Sequence, residues 1–152
     1  ALYTRAVDCD TCAVARALLE EVVTLSPRLS LEVHDLGEGA EVAVDRPPTI
    51  AVLGREGAGF VDHGIRLVGA PVGHELTSLV DAIVSVSSRD AGLTAESRGR
   101  LAALDRPVHV QVFSTPTCRY CPQAVSLAHR VALTPLSSKA SEPEPRCRDR
   151  QY

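Results

Sequence analysis

One arrangement occurs twice in this chain: a short apolar run, a turn, two cysteines separated by two residues, and a helical apolar pattern. In the later copy Val108-His109-Val110-Gln111-Val112-Phe113 runs through Ser114-Thr115-Pro116-Thr117 into Cys118-Arg119-Tyr120-Cys121-Pro122. Ala124, Leu127, Ala128 and Val131 then fall on one helical face. In the earlier copy Leu2-Tyr3-Thr4 leads to Cys9-Asp10-Thr11-Cys12. Superposing the two cysteine pairs also aligns Ala15 with Ala124, Leu18 with Leu127 and Val22 with Val131. Spacing and apolar pattern repeat together, which points to an internal duplication.

Strand, turn, Cys-x-x-Cys and helix in that order is how a redox dithiol is usually built. The turn exposes the first sulfur at a helix N-terminus, where the macrodipole and free N–H groups favour a thiolate. The second sulfur lies one turn further in and closes a disulfide onto the first. Charge separates the two copies. Asp8 and Asp10 flank Cys9, whereas Arg119 follows Cys118, so the thiolate is expected to be more favoured at Cys118.

Composition narrows the class of protein. At 152 residues the chain is one ordinary domain or two small packed units. A net charge of −3 gives no footing for nucleic acid or an anionic membrane, so neither is expected as a partner. No run approaches the ~18 apolar residues of a membrane span. Of the 5 cysteines all but Cys147 sit in the two pairs, unlike a secreted disulfide scaffold. No signal peptide is recognised and a cytoplasmic location is expected, although the chain opens at Ala1 inside a strand pattern, as if residues preceded it. No Gly-rich phosphate loop occurs, so no nucleotide or flavin cofactor is expected. His34, His63, His74, His109 and His129 show no ligand spacing and read as surface or strand residues.

In chain order, the sequence predicts a helix over 13–25 with Val14, Leu18, Val22 and Leu25 inward, then a strand over 31–36. The stretch 37–45 has room for a short helix. Arg46-Pro47-Pro48-Thr49 introduces a strand through Leu53, and X-Pro bonds are the ones that take the cis form at low cost. A turn over 54–59 and a strand over 65–68 complete a hairpin. An amphipathic helix over 74–87 follows, with Leu76, Leu79, Val80, Ile83 and Val84 as its core stripe. Thr94 is placed to cap a connector helix reaching Leu104. The tail after Leu133 carries three prolines and no periodic apolar face, and reads as disordered.

Three stretches resemble a known family. They are Pro47-Pro48-Thr49-Ile50-Ala51-Val52, the run from Gly64 through Pro71-Val72-Gly73-His74-Glu75, and Val112-Phe113-Ser114-Thr115-Pro116-Thr117-Cys118-Arg119-Tyr120-Cys121-Pro122. Together they are similar to the glutaredoxin-like protein disulfide oxidoreductases built from tandem thioredoxin-fold units. The N-terminal domain of the alkyl hydroperoxide reductase flavoprotein is a relative of that group. The resemblance implies an α/β fold with a complete thioredoxin-like unit over 1–88 and a connector with a helix over 89–106. A second, incomplete unit over 107–133 (strand, Cys-x-x-Cys, helix) and a tail over 134–152 would follow. It implies Cys118 as nucleophile and Cys121 as resolving thiol, with Cys9 and Cys12 in the same roles in the first unit. Pro48 matches the cis-proline that faces the dithiol. Pro47, Pro48, Thr49, Arg119 and Tyr120 are the expected substrate-docking residues. The chain departs from the family pattern at three places. Arg119 stands where relatives commonly carry proline, Pro47 has no N–H to offer a docked chain, and the second unit lacks its own cis-proline strand. A truncated gene or a frame shift near Leu133 would explain that loss.

The expected function is thiol–disulfide exchange with protein disulfides, with no bound cofactor and no metal, as part of cellular redox homeostasis and electron transfer. A separate electron donor of the thioredoxin reductase type would supply reducing power. Two other readings stand beside it: a non-catalytic binding or scaffold module, and a structural zinc protein. Zinc ribbons hold their cysteine pairs ~15–20 residues apart, much closer than these.

Overall fold

A computed structural model of the chain describes residues 1–5, 8–36 and 46–134. Its centre is a four-stranded mixed sheet in the order β2-β1-β3-β4. Strand β1 (Leu2–Thr4) is followed by helix α1 (Cys12–Thr24), which crosses to β2 (Val33–Asp35), parallel to β1. On its other side β1 pairs antiparallel with β3 (Thr49–Glu56), and β3 with β4 (Gly59–Val68). Helix α2 (Glu75–Ser88) then packs on the sheet, followed by α3 (Ala95–Ala102) and α4 (Cys121–Ala132). The core joins Leu2, Ile50, Val52 and Ile65 of the strands to Ala15 and Leu19 of α1 and Leu79, Ala82 and Val86 of α2.

The hairpin is longer than its apolar pattern indicates. The ladder runs to Glu56 opposite Gly59, turning at Gly57 with φ +57°, a left-handed position that suits glycine. Only Ile65 of β4 is fully buried, so the first half of that strand carries no core signal in the sequence.

Both core helices are turned relative to the expected stripes. Helix α1 buries Cys12, Ala15 and Leu19, leaving Val14 and Leu25 exposed. Helix α2 buries Ser78, Leu79, Ala82 and Val86, with Leu76 and Ile83 alongside, while Val80 and Val84 face solvent. Small residues explain both corrections. Ala15, Ser78 and Ala82 let backbone approach backbone, whereas hydropathy favours the larger side chains. The connector behaves as expected: the Thr94 hydroxyl accepts from the Ser97 N–H at 3.1 Å and caps α3.

The expected strand at Val108–Phe113 is not part of a sheet. The segment has no strand partner among the described residues, and Val108, Val110, Val112 and Phe113 are exposed. An alternating apolar run becomes a strand only where a neighbour takes up its N–H and C=O groups. The readings made for 37–45 and for the tail fall outside the described residues, except at Thr134, which is buried.

Candidate active site: two dithiol turns

The first dithiol follows from the crossover. Strand β1 delivers the chain to Cys9, and α1 begins at Cys12, which is buried while Cys9 stays half-exposed. The two sulfurs form a disulfide, with the Cα atoms 5.4 Å apart. Asp8, just before Cys9, has φ +58°, so the chain enters the turn through a left-handed residue. Across the sheet Tyr3 pairs with Thr49, so the start of β3 lies at the edge from which the dithiol turn leaves β1. The Pro47-Pro48 peptide at that start is cis, Pro48 is fully buried, and its carbonyl accepts from Gly69 N–H at 2.8 Å. Thr49 is buried too, its hydroxyl donating to the Arg46 carbonyl at 2.6 Å. Pro47, Pro48 and Thr49 are therefore brought to one edge with the first dithiol.

The second dithiol has the same local form on a different support. Cys118 and Cys121 form a disulfide with Cα atoms 5.5 Å apart, both half-buried, and Cys121 opens α4. Here the Cys121 backbone N–H donates to Cys118 Sγ at 3.2 Å, whereas in the first turn the Cys12 N–H donates to the Cys9 carbonyl at 3.3 Å. A donor aimed at sulfur supports a thiolate; one aimed at a carbonyl does not. Arg119 and Tyr120 are both exposed beside the pair.

The second turn is held by the loop that leads into α2. His74 N–H donates to the Pro116 carbonyl at 3.0 Å, and the Ser114 hydroxyl donates to Glu75 Oε1 at 2.6 Å. Gly73, at φ +59°, lies so close that an added Cβ would sit 2.7 Å from the Pro116 oxygen. Further on, Arg130 of α4 donates through Nε to the Ala91 carbonyl at 2.6 Å and through its terminal nitrogen to the Gly92 carbonyl. Gly73 and Glu75 fall in a stretch that carries the family resemblance, but the contacts that they and Arg130 make do not show in the sequence, because each reaches a segment far away in the chain.

His129 corrects the reading of the histidines. It is buried on α4, with Nδ1 lacking a hydrogen-bond partner, and burial lowers its pKa against the opposing pull of Asp81. The inward side of α4 is marked by His129, which is buried, and by Leu133, which packs against the core; of the expected face Ala124 and Leu127 are exposed, while Ala128 and Val131 are half-buried. The four-residue spacing of His129 and Leu133 is the signal that marks this side. Among the described residues no three His, Cys, Asp or Glu side chains are grouped to hold a metal ion, and no helix is long and apolar enough to cross a membrane.

A Cys-x-x-Cys helix crossing between two parallel strands, with a cis-proline opening the neighbouring antiparallel strand, is the arrangement of a thioredoxin-like protein. The chain has that fold. It is homologous to the N-terminal domain of the alkyl hydroperoxide reductase AhpF. It is 34% identical over 108 residues to the Staphylococcus aureus form of that protein, a match covering 71% of this chain and 19% of the relative. A protein disulfide oxidoreductase from Aeropyrum pernix superposes with a TM-score of 0.73 at 29% identity, over 86% of this chain and 57% of that one. The AhpF of Enterococcus faecalis superposes with a TM-score of 0.74 at 28% identity, over 88% of this chain and 64% of that one. The chain thus spans only part of each of these relatives. No protein-family model matches it.

Proposed function

We propose that this chain is a dithiol–disulfide oxidoreductase acting on protein disulfides, with Cys118 as the principal nucleophile and Cys121 as its resolving thiol. The Cys121 N–H aimed at Cys118 Sγ is the observation that carries this assignment. In the reduced state the Cys118 thiolate attacks one sulfur of a substrate disulfide, forming a mixed disulfide and releasing the other sulfur as a thiolate. Cys121, losing its proton to solvent, attacks Cys118 Sγ and expels the second substrate thiolate. Two electrons pass from the dithiol to the substrate, and Cys118–Cys121 is left oxidised. A dithiol protein of the thioredoxin reductase type restores it, in the cytoplasm.

Cys9 and Cys12 take the same roles in the first turn, with Pro47, Pro48 and Thr49 as its docking edge; Arg119 and Tyr120 meet the substrate at the second. The proposed units are 1–88 and 107–133, joined through 89–106. Reduction of insulin by the chain with dithiothreitol as donor tests this, comparing Cys118→Ser with Cys9→Ser. The larger loss is expected at Cys118, and equal rates in both variants and the wild type would refute the assignment.

The exposed Val108–Phe113 segment, without a strand partner among the described residues, favours a second reading as a binding module, because free strand edges recruit other strands. Absence of turnover together with concentration-dependent self-association would support that reading instead.

A further inference from the structure

We propose that Pro47 sets which disulfides the first dithiol accepts: it denies an extended polypeptide the strand pairing that would hold it beside Cys9, and leaves the site to disulfides that reach the sulfur without backbone contact. This rests on the dithiol reading above and refines it for the first turn.

The register of β1 on β3 locates the effect. Ala1 and Ala51 exchange both backbone hydrogen bonds, at 2.8 and 2.9 Å. In an antiparallel pair such exchanges recur at every second residue, so the next positions are Tyr3–Thr49 and then Arg5–Pro47. The ladder ends at Tyr3–Thr49. Strand β1 itself continues: it stays paired with β2 through Thr4–Asp35, and the Leu36 N–H donates to the Thr4 carbonyl at 2.7 Å. The loss is confined to the β3 side. There position 47 carries a proline nitrogen in place of the N–H that the next exchange requires.

A substrate chain meets the same loss. Laid along the start of β3, where β1 turns away towards Cys9, it reaches Pro47 first, because Pro47 is half-exposed while Pro48 and Thr49 are buried. Strand addition draws its hold from main-chain N–H and C=O groups. Neither proline has a donor to give. The flanking acceptors are already engaged: the Arg46 carbonyl accepts from the Thr49 hydroxyl at 2.6 Å, and the Pro48 carbonyl from Gly69 N–H at 2.8 Å. Such an edge is blunted against strand pairing. What it keeps is the exposed part of the Pro47 ring, an apolar contact that a disulfide can use without pairing its backbone.

The exchange itself is unaltered. The Cys9 thiolate attacks one sulfur of the substrate disulfide, keeps that half as a mixed disulfide and releases the other as a thiolate. Cys12, losing its proton to solvent, attacks Cys9 Sγ and releases the second thiolate. Two electrons pass from the dithiol to the substrate, and Cys9–Cys12 is left oxidised.

The test uses the reduced full chain carrying Cys118→Ser and Cys121→Ser. A short unstructured peptide disulfide, its backbone N-methylated counterpart and hydroxyethyl disulfide are the parallel oxidants. Acid quench, alkylation and peptide mapping give the rate constant for oxidation of Cys9 and Cys12 alone. Pro47→Ala and, independently, Pro47→Thr restore the N–H. In each, the ratio of the peptide rate to the hydroxyethyl disulfide rate is expected to rise about five-fold, the size of one net backbone hydrogen bond. The N-methylated peptide, which cannot pair as a strand, is expected to show no such gain. An unchanged ratio in both variants, or an equal gain with the N-methylated peptide, overturns the proposal. A first dithiol that none of the three oxidises, in a chain whose unsubstituted form reduces insulin, overturns the proposal and leaves the second turn's role intact. An unsubstituted chain that reduces no disulfide overturns the oxidoreductase reading on which it rests.

Discussion

Replacing Gly73 by alanine probes the coupling between the core of the fold and the second dithiol. The new Cβ would meet the Pro116 carbonyl oxygen at 2.7 Å, a contact real Cβ atoms do not make, so the turn before Cys118 must move. Two terms add. Holding a non-glycine residue at φ +59° costs about 1–2 kcal/mol, and relieving the overpacking costs about 1–3 kcal/mol. At about 2–4 °C per kcal/mol for a chain of this size, thermal unfolding should fall by on the order of 10 °C. Gly57→Ala is the control. Its φ is +57°, but nothing lies within 4 Å of its added Cβ, so it should lose only the conformational term, about 4 °C. The displaced Pro116 carbonyl also strains the bond from His74 N–H, loosening the turn that aims the Cys121 N–H at sulfur. Alkylation of reduced Cys118 at neutral pH should therefore slow, while that of Cys9 stays the same. Equal melting shifts for the two glycine variants, with unchanged Cys118 reactivity, would show that the close approach does not constrain the dithiol.

Other contacts yield separate expectations. Ser114→Ala leaves the Glu75 carboxylate without its 2.6 Å donor and should destabilise the chain by about 1–2 kcal/mol in urea unfolding; no change would mean the contact is solvent-replaced. Burial depresses the His129 pKa below its ordinary 6.5, so the unfolded chain binds the proton more readily. Stability should be full above about pH 6.5 and fall as pH drops from there towards the folded value. His129→Leu should flatten that slope, and a slope that survives would assign it elsewhere. The Arg66 guanidinium holds the Asp62 carboxyl below its ordinary 3.8, so this pair's contribution is present above that value and lost in stronger acid. Both side chains are partly exposed, 34% for Arg66 and 48% for Asp62, so solvent screening should hold the effect of Arg66→Gln on the acid end of the stability curve to about 1 kcal/mol or less. A larger effect would indicate a buried role for the pair.

The parts of the site legible in the sequence are those built from local chemistry. Cys-x-x-Cys before a helical pattern, and Pro47-Pro48-Thr49 before an apolar run, identify themselves because spacing and backbone restriction act over a few residues. Hydropathy misplaces the helix faces where small residues do the packing. Ala15 and Ala82 are wholly buried, yet Val14 and Val84 carry the stronger hydropathy signal and point outward. His129 escapes the pattern because a histidine in an apolar register reads as polar filler. The contacts that support the second dithiol are not readable from local pattern. Pro116 meeting His74, Ser114 meeting Glu75 and Arg130 meeting Ala91 each join segments separated by about forty residues, and no local pattern encodes those pairings. Val108–Phe113 shows the converse. Its alternation is a capacity to pair, and pairing depends on a neighbour that a single segment cannot specify.

A thiol count across a graded glutathione redox series, by alkylation, mass spectrometry and peptide mapping, tests the central claim most directly. Cys118 and Cys121 are predicted to open and close together as one pair, and Cys9 and Cys12 as another, each with its own midpoint. Cysteines that stay unreactive throughout the series, with metal retained in the purified protein, would contradict that claim.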